Sequence, residues 1–213
     1  MLFRSVWTTT LEAKAPNGER RRKTIKIEEI APVQPPVAGL EACTPSPQCE
    51  YGPIYASYPL YGNSVGVNLG DCSFAAAADW EQIQLGFTPN ESLIGFEFAQ
   101  AGGTVGGLSQ NALWAYWKKY GIAGHQLTGL WHYTTDQADV ENAVRDYGAL
   151  IAELGFTPGD GFGEATVAAG LHEVVVDGFT PGGPLVVTWG QTWQLTWEQW
   201  NDEVEGMWGL SNN

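Results

Sequence analysis

Cys72 and His172 are the residues of this 213-residue chain whose type and setting suit covalent chemistry. Cys72 lies in Asn68-Leu69-Gly70-Asp71-Cys72-Ser73-Phe74-Ala75, at the expected start of an alanine-rich helix that follows a glycine turn. A thiol at a helix N-terminus feels the positive end of the backbone dipole, which favours thiolate. Asp71 works against this, because a neighbouring acid raises a thiol's pKa. A hundred residues later, His172 opens the strand-like run His172-Glu173-Val174-Val175-Val176-Asp177-Gly178. An imidazole brought beside a thiol takes its proton or pairs with the thiolate, and either arrangement makes a nucleophile for an acyl carbon. The other histidines read as structural: His125 sits in a loop, and His132 at the surface or packed among aromatics.

The elements that must position this pair follow from periodicity. A helix is expected from Asp71 to Gln84, and a second from Glu91 to Ala101. After the glycine-rich loop 102–107, Leu113, Trp114 and Trp117 fall at helical spacing in a third, Leu108 to Tyr120. A fourth begins at Thr135 and ends at Gly148. Ala149 to Leu154 reads as a strand, and a second glycine-rich loop follows from Pro158 to Gly163. Strands at 172–179 and 184–189 come next, then a helix from Trp197 to Glu203 capped by Thr196, and a last strand at Gly206 to Leu210. Helices first and an antiparallel sheet afterwards is an α+β order.

Ahead of this body, Ser5–Leu11 and Lys23–Ile27 alternate as strands around the turn signal Asn17-Gly18, a β-hairpin over residues 4 to 29. A proline-rich extended arm then runs from Ala31 through Pro59. The expected division is therefore an N-terminal hairpin and arm at 1–60 and a globular domain at 61–213. Within the arm, Cys43 and Cys49 flank a proline-stiffened loop that closes as a disulfide or stays reduced, which leaves Cys72 as the odd thiol. No metal site or cofactor is expected, since two cysteines without a nearby Cys/His pair make a poor zinc site.

Charge separates the same two parts. Through Lys26 there are seven basic residues against two acidic ones, a net of +5; the remainder carries 3 basic and 22 acidic, a net of −19. A body this acidic repels phosphate, so nucleic acid is not an expected partner. No stretch approaches the roughly 20 apolar residues of a membrane span. The N-terminus lacks the apolar core of a signal peptide, so a cytoplasmic protein, or one carried within a virion or other assembly, is expected.

Residues 70–190 resemble the papain-like cysteine peptidases in their small bacterial and phage form. Gly70-Asp71-Cys72 leads a helix; Gly148-Ala149-Leu150-Ile151-Ala152 ends one helix and begins a strand; His172 to Gly178 matches the histidine strand. Gly182-Gly183-Pro184-Leu185-Val186-Val187-Thr188-Trp189-Gly190 corresponds to the apolar strand that ends in Asn-Ser-Trp-Gly in that family. The resemblance implies a papain-like α+β fold with the N-terminal helices packed on an antiparallel sheet. It also implies Cys72 as nucleophile and His172 as its base. The family orients that histidine with an asparagine or aspartate. Thr188 aligns with it here, Gln191 is the second candidate and Asp177 the third, its strand parity facing away from His172. Trp189 inherits the role of shielding that hydrogen bond. The family's oxyanion glutamine, six residues before the cysteine, is replaced by Gly66, which leaves Asn68 and Asn63 as substitute donors.

Three functions fit these residues. One is a cysteine peptidase or amidase acting on a peptide or amide bond. Another is a catalytically weak or inactive papain-fold module of a phage or bacterial assembly, docked to a protein partner or a second copy through residues 1–60. The third is a glycan- or peptide-binding protein that uses the tryptophans crowded from Trp189 to Trp208.

Overall fold

The structure is a computed structural model. It describes residues 6–14, 20–28, 49–50, 70–104, 106–156, 161–162, 165–166 and 170–212, the strands before residue 70 and between 161 and 166 by their backbone. β1 (Val6–Lys14) and β2 (Arg20–Glu28) form an antiparallel hairpin in which Thr10 faces Thr24. Of the arm, only the backbone of β3 (Cys49–Glu50) is described, and it pairs with Phe179 and Gly178 of the main sheet. The Asn17-Gly18 turn and the Cys43–Cys49 pairing lie outside the described residues.

The body runs α1 (Cys72–Leu85), α2 (Glu91–Gln100), α3 (Gln110–Tyr120), β4 (Leu127–Tyr133), α4 (Gln137–Tyr147) and β5 (Leu150–Phe156). After a small ladder of β6 (Gly161–Phe162) and β7 (Ala165–Thr166) come β8 (Gly170–Thr180), β9 (Gly183–Thr188), β10 (Gln191–Gln194), α5 (Trp197–Glu203) and β11 (Val204–Asn212). The antiparallel sheet has the order β10-β9-β8-β5-β11-β4, with β3 beside β8. β9 occupies one edge of β8 over Val175–Thr180, so β3 extends the edge that β5 leaves open beyond Val176.

Helices cover both faces of this sheet. Phe74, Ala77, Trp80, Leu113 and Trp117 of α1 and α3 meet Ala149, Ile151, Val175 and Val187 in one core. Val140 and Val144 of α4 and Trp200 of α5 meet Leu150, Ala152, Val174, Val176 and Val186 in the other. Because strand side chains alternate, one parity of β8 faces α1 and the other faces α4 and α5. Burial on both sides explains why β5 and β8 read as nearly continuous apolar runs.

The sequence reading did not anticipate the short strands β3, β6, β7 and β10, and two larger elements also differ from it. β4 is a strand that precedes α4, so the sheet begins before the helices end. It takes the sheet edge beside β11, where Trp131 and His132 stay exposed and no core-facing alternation develops. α1 shows no polar stripe either, because 10 of its 14 residues are buried, including Ser73, Asp79, Glu81 and Gln82. Its C-terminal half is tied to the corner between α4 and β5. Trp80 Nε1–H donates to the Ala149 carbonyl at 2.8 Å, and the Gln84 amide donates to that of Tyr147 at 2.6 Å. Among the described residues no helix is long and apolar enough to cross a membrane.

Candidate active site

Cys72 is the first residue of α1, and its helix end is uncapped. Asp71 occupies the N-cap position without a side-chain hydrogen bond, and the first intrahelical bond is Ala75 N–H to the Asp71 carbonyl. The amides of Cys72, Ser73 and Phe74 therefore have no intrahelical acceptor. The Ser73 and Glu173 amides both point at the sulfur. Glu173 follows His172 directly, so the thiol lies against the start of β8.

His172 rises from the opposite face of the same strand. Its Nε2 is 2.8 Å from Thr188 Oγ1, and Thr188 is buried at the end of β9. The Trp189 indole stacks on the imidazole, with ring centres 4.6 Å apart and planes 22° from parallel. A tight turn places that indole: Trp189 (φ 49°) and Gly190 (φ 72°) both have positive φ, the signature of a two-residue type I′ hairpin. Glycine adopts this conformation freely, but at Trp189 it costs about 1–2 kcal/mol. Strain is thus spent where the side chain covers the histidine.

Cys72, His172, Thr188 and Trp189 are therefore brought to one end of β8 and β9. No hydrogen bond joins the sulfur to the imidazole among the described residues. Gln191 pairs by backbone with Thr188 across the turn and its side chain is exposed on β10. Asp177 sits buried at a register shift between β8 and β9, with no hydrogen bond to His172. Asn63 and Asn68 lie outside the described residues.

The electrostatics correct one expectation. The dipole argument favoured thiolate, but burial pushes the Cys72 thiol up to about 11, with the charges of Glu173 and Asp71 adding to the shift. Loss of water around the sulfur outweighs the helix N-terminus and the two amides aimed at it. Burial likewise holds His172 down to about 4. The resting pair is a neutral thiol and a neutral imidazole rather than an ion pair.

Glu173 is the site residue that pattern reading passed over. It is only 5 % exposed, and burial together with Glu153 raises its carboxyl to about 8. The signal was present in the sequence: an acid in an apolar strand at the same parity as Val175, hence on the face turned to α1. Elsewhere, His125 is more than a loop residue, since its Nδ1 lies 3.1 Å from the buried Glu81 carboxylate. Among the described residues no group of three or more His, Cys, Asp and Glu is arranged to hold a metal ion.

No protein-family profile and no curated protein matches this sequence. Among solved structures, the chain is similar to xylellain, a cysteine protease from Xylella fastidiosa, with a TM-score of 0.52 and 10% identity over 87% of this chain and 94% of that one. At that identity the likeness is one of architecture: the chain has a papain-like α+β fold.

Proposed function

We propose that the protein is a cysteine peptidase or amidase in which Cys72 attacks an acyl carbon and His172 carries the proton. The observation behind this reading is the imidazole held by Thr188 beneath Trp189, one residue from the amide that meets the thiol. When Nε2–H donates to the Thr188 hydroxyl, Nδ1 keeps its lone pair for the thiol proton. Because the resting groups are neutral, that proton moves as the sulfur attacks, giving a thioester and an imidazolium that protonates the leaving amine. Water then hydrolyses the thioester. The Cys72 amide at the open end of α1 is a donor for the oxyanion.

The test is the rate of iodoacetamide alkylation of Cys72 against pH, in wild type and His172→Ala. At pH 7 a thiol with a pKa near 11 is ionised in only about one molecule in 10⁴. Alkylation in that range therefore reports proton removal by His172. A loss of about 100-fold in His172→Ala at pH 7, with the two profiles converging at alkaline pH, is expected. Identical profiles would replace the hydrolase reading with the second one, an inactive papain-fold module docked through residues 1–60. The raised thiol pKa and the missing bond between sulfur and ring are what favour that alternative.

Thr188 should behave as a positioning residue. Thr188→Val removes one hydrogen bond to the ring and should slow His172-dependent alkylation roughly three- to tenfold, about 0.5–1.5 kcal/mol. Thr188→Asn restores a polar partner and should recover most of that loss. If valine and asparagine behave alike, the hydroxyl does not hold the ring.

A further inference from the structure

Three glutamates form a row across adjacent strands, and the row ends at the thiol. Glu173 of β8 pairs directly with Glu153 of β5, and Glu205 of β11 acts electrostatically on Glu153. Exposure falls along the row: Glu205 is exposed, Glu153 half-buried and Glu173 almost fully buried. Neighbouring strands are about 4.8 Å apart, so each carboxyl of the row lies within electrostatic reach of the next.

No lysine, arginine or histidine pairs with Glu173, Glu153 or Glu205 among the described residues. Glu173 Oε2 is sealed from solvent without a hydrogen-bond partner, while Oε1 is neither sealed nor bonded. Asp71, the residue before Cys72, is also buried and has an unpartnered Oδ2. Folded chains pair or hydrogen-bond such groups, since a buried carboxylate left alone costs several kcal/mol. A purely structural strand position would carry an apolar residue here, as Val175 does two residues on. The field of Glu173 and Asp71 also reaches the Cys72 sulfur, so whatever neutralises them acts on the nucleophile.

We propose that Glu173, with Asp71 beside it and Glu153 and Glu205 leading to it, is a subsite for a cationic group of the substrate, an ammonium or guanidinium close to the scissile carbonyl. This deepens the cysteine-hydrolase reading and rests on it for the word substrate. The cation supplies the missing partner for Glu173. Its charge also favours thiolate at Cys72, so a substrate of the right charge activates the nucleophile that attacks it. A substrate with an acidic group at the same place finds no counter-charge and is repelled by whichever carboxyls of the row are ionised. The chain's net charge of −14 adds to the discrimination at a distance, but that part is screened by salt.

The test uses the full chain and three small thiol reagents of similar size: 2-aminoethyl, 2-sulfonatoethyl and methyl methanethiosulfonate. Each leaves a mixed disulfide on Cys72 and releases methanesulfinate, so no hydrolysis is needed. The measured quantity is the ratio of the cationic to the anionic rate at pH 8.5, normalised to the neutral reagent and repeated at high salt. Glu173→Gln is expected to lower this ratio about tenfold, Asp71→Asn and Glu153→Gln about threefold, and Glu198→Gln on the exposed surface of α5 not at all. The Asp71 and Glu153 variants supply the same test should Glu173→Gln fail to fold.

A ratio unchanged in Glu173→Gln, Asp71→Asn and Glu153→Gln would overturn the proposal, as would an effect of equal size from Glu198→Gln. The two readings also fail separately. If His172→Ala leaves alkylation unchanged while Glu173→Gln collapses the ratio, the cation subsite stands and hydrolysis falls. The reverse pattern leaves a hydrolase without this specificity.

Discussion

The melting temperature is expected to fall by about 10 °C between pH 5 and pH 8.5, the direction opposite to that of a protein held together by paired carboxylates. Burial raises Asp71 to about 6, Glu81 to about 7, and Glu97 and Glu173 to about 8; Asp79 is raised as well. An acid with a raised folded-state pKa holds its proton in the native state after the unfolded chain has lost it. From about pH 4.5 to 8 the native state therefore binds more protons than the unfolded one, and stability falls as pH rises. His125, raised by the Glu81 carboxylate, acts in the same sense, its contribution being lost as pH climbs. His172 runs the other way: held down to about 4, it costs stability once pH drops below its ordinary value, so the optimum lies near pH 5 rather than lower. Relaxation around the newly charged groups keeps the total to about 3–5 kcal/mol, at roughly 2–4 °C for each.

Thermal melts at four pH values measure this directly, and a flat or rising Tm would contradict it. Growing self-repulsion of an acidic chain predicts the same slope, so Glu173→Gln separates the causes. If buried acids dominate, the variant matches wild type at pH 5, where Glu173 is protonated, and melts higher at pH 8.5. If long-range repulsion dominates, removing one charge of many changes little at either pH.

What the sequence conveyed depended on whether a local pattern had a single cause. α3 was legible because Leu113, Trp114 and Trp117 share one buried stripe and Ser109 caps the helix through Ala112 N–H. α1 was legible as a helix but not as an enclosed one. Nothing local shows that Glu81 will find His125 or that Gln84 will reach the Tyr147 carbonyl, since those partners arrive from 44 and 63 residues away. β4 escaped notice because an edge strand with exposed aromatics has no alternation to read. At the site, Cys72, His172, Thr188 and Trp189 could be picked out by matching a known order of motifs. The placement of Gln191 could not: a two-residue turn keeps it in the β10 ladder with its side chain in solvent. The neutral resting state was equally hidden, because burial of Cys72 depends on how closely α1 sits on β8.

That seating is where a single substitution is expected to cost most. Trp80 is 2 % exposed, meets Trp117 edge-to-face at 5.6 Å, and donates its indole N–H to the Ala149 carbonyl where β5 begins. Trp80→Ala removes the largest side chain on α1 from a core that cannot close around the gap, so a loss of about 3–5 kcal/mol in urea unfolding is expected. Trp80→Phe keeps most of the apolar volume and the edge contact. It loses the hydrogen bond, and Gln84 Nε2, at 3.4 Å, is too far to replace it fully at the Ala149 carbonyl. Its expected cost is about 1–2 kcal/mol. Equal costs for the two variants would mean that the hydrogen bond dominates; negligible costs for both would mean that α1 is anchored elsewhere. Trp80 lies eight residues from Cys72, about 12 Å along the helix, and cannot touch the reacting atoms. If Trp80→Phe nonetheless weakens the His172-dependent alkylation of Cys72 while its fold persists, the indole bond sets how α1 presents its thiol to β8. If reactivity is untouched, the amides of Ser73 and Glu173 hold the sulfur in place by themselves, and Trp80 serves stability alone.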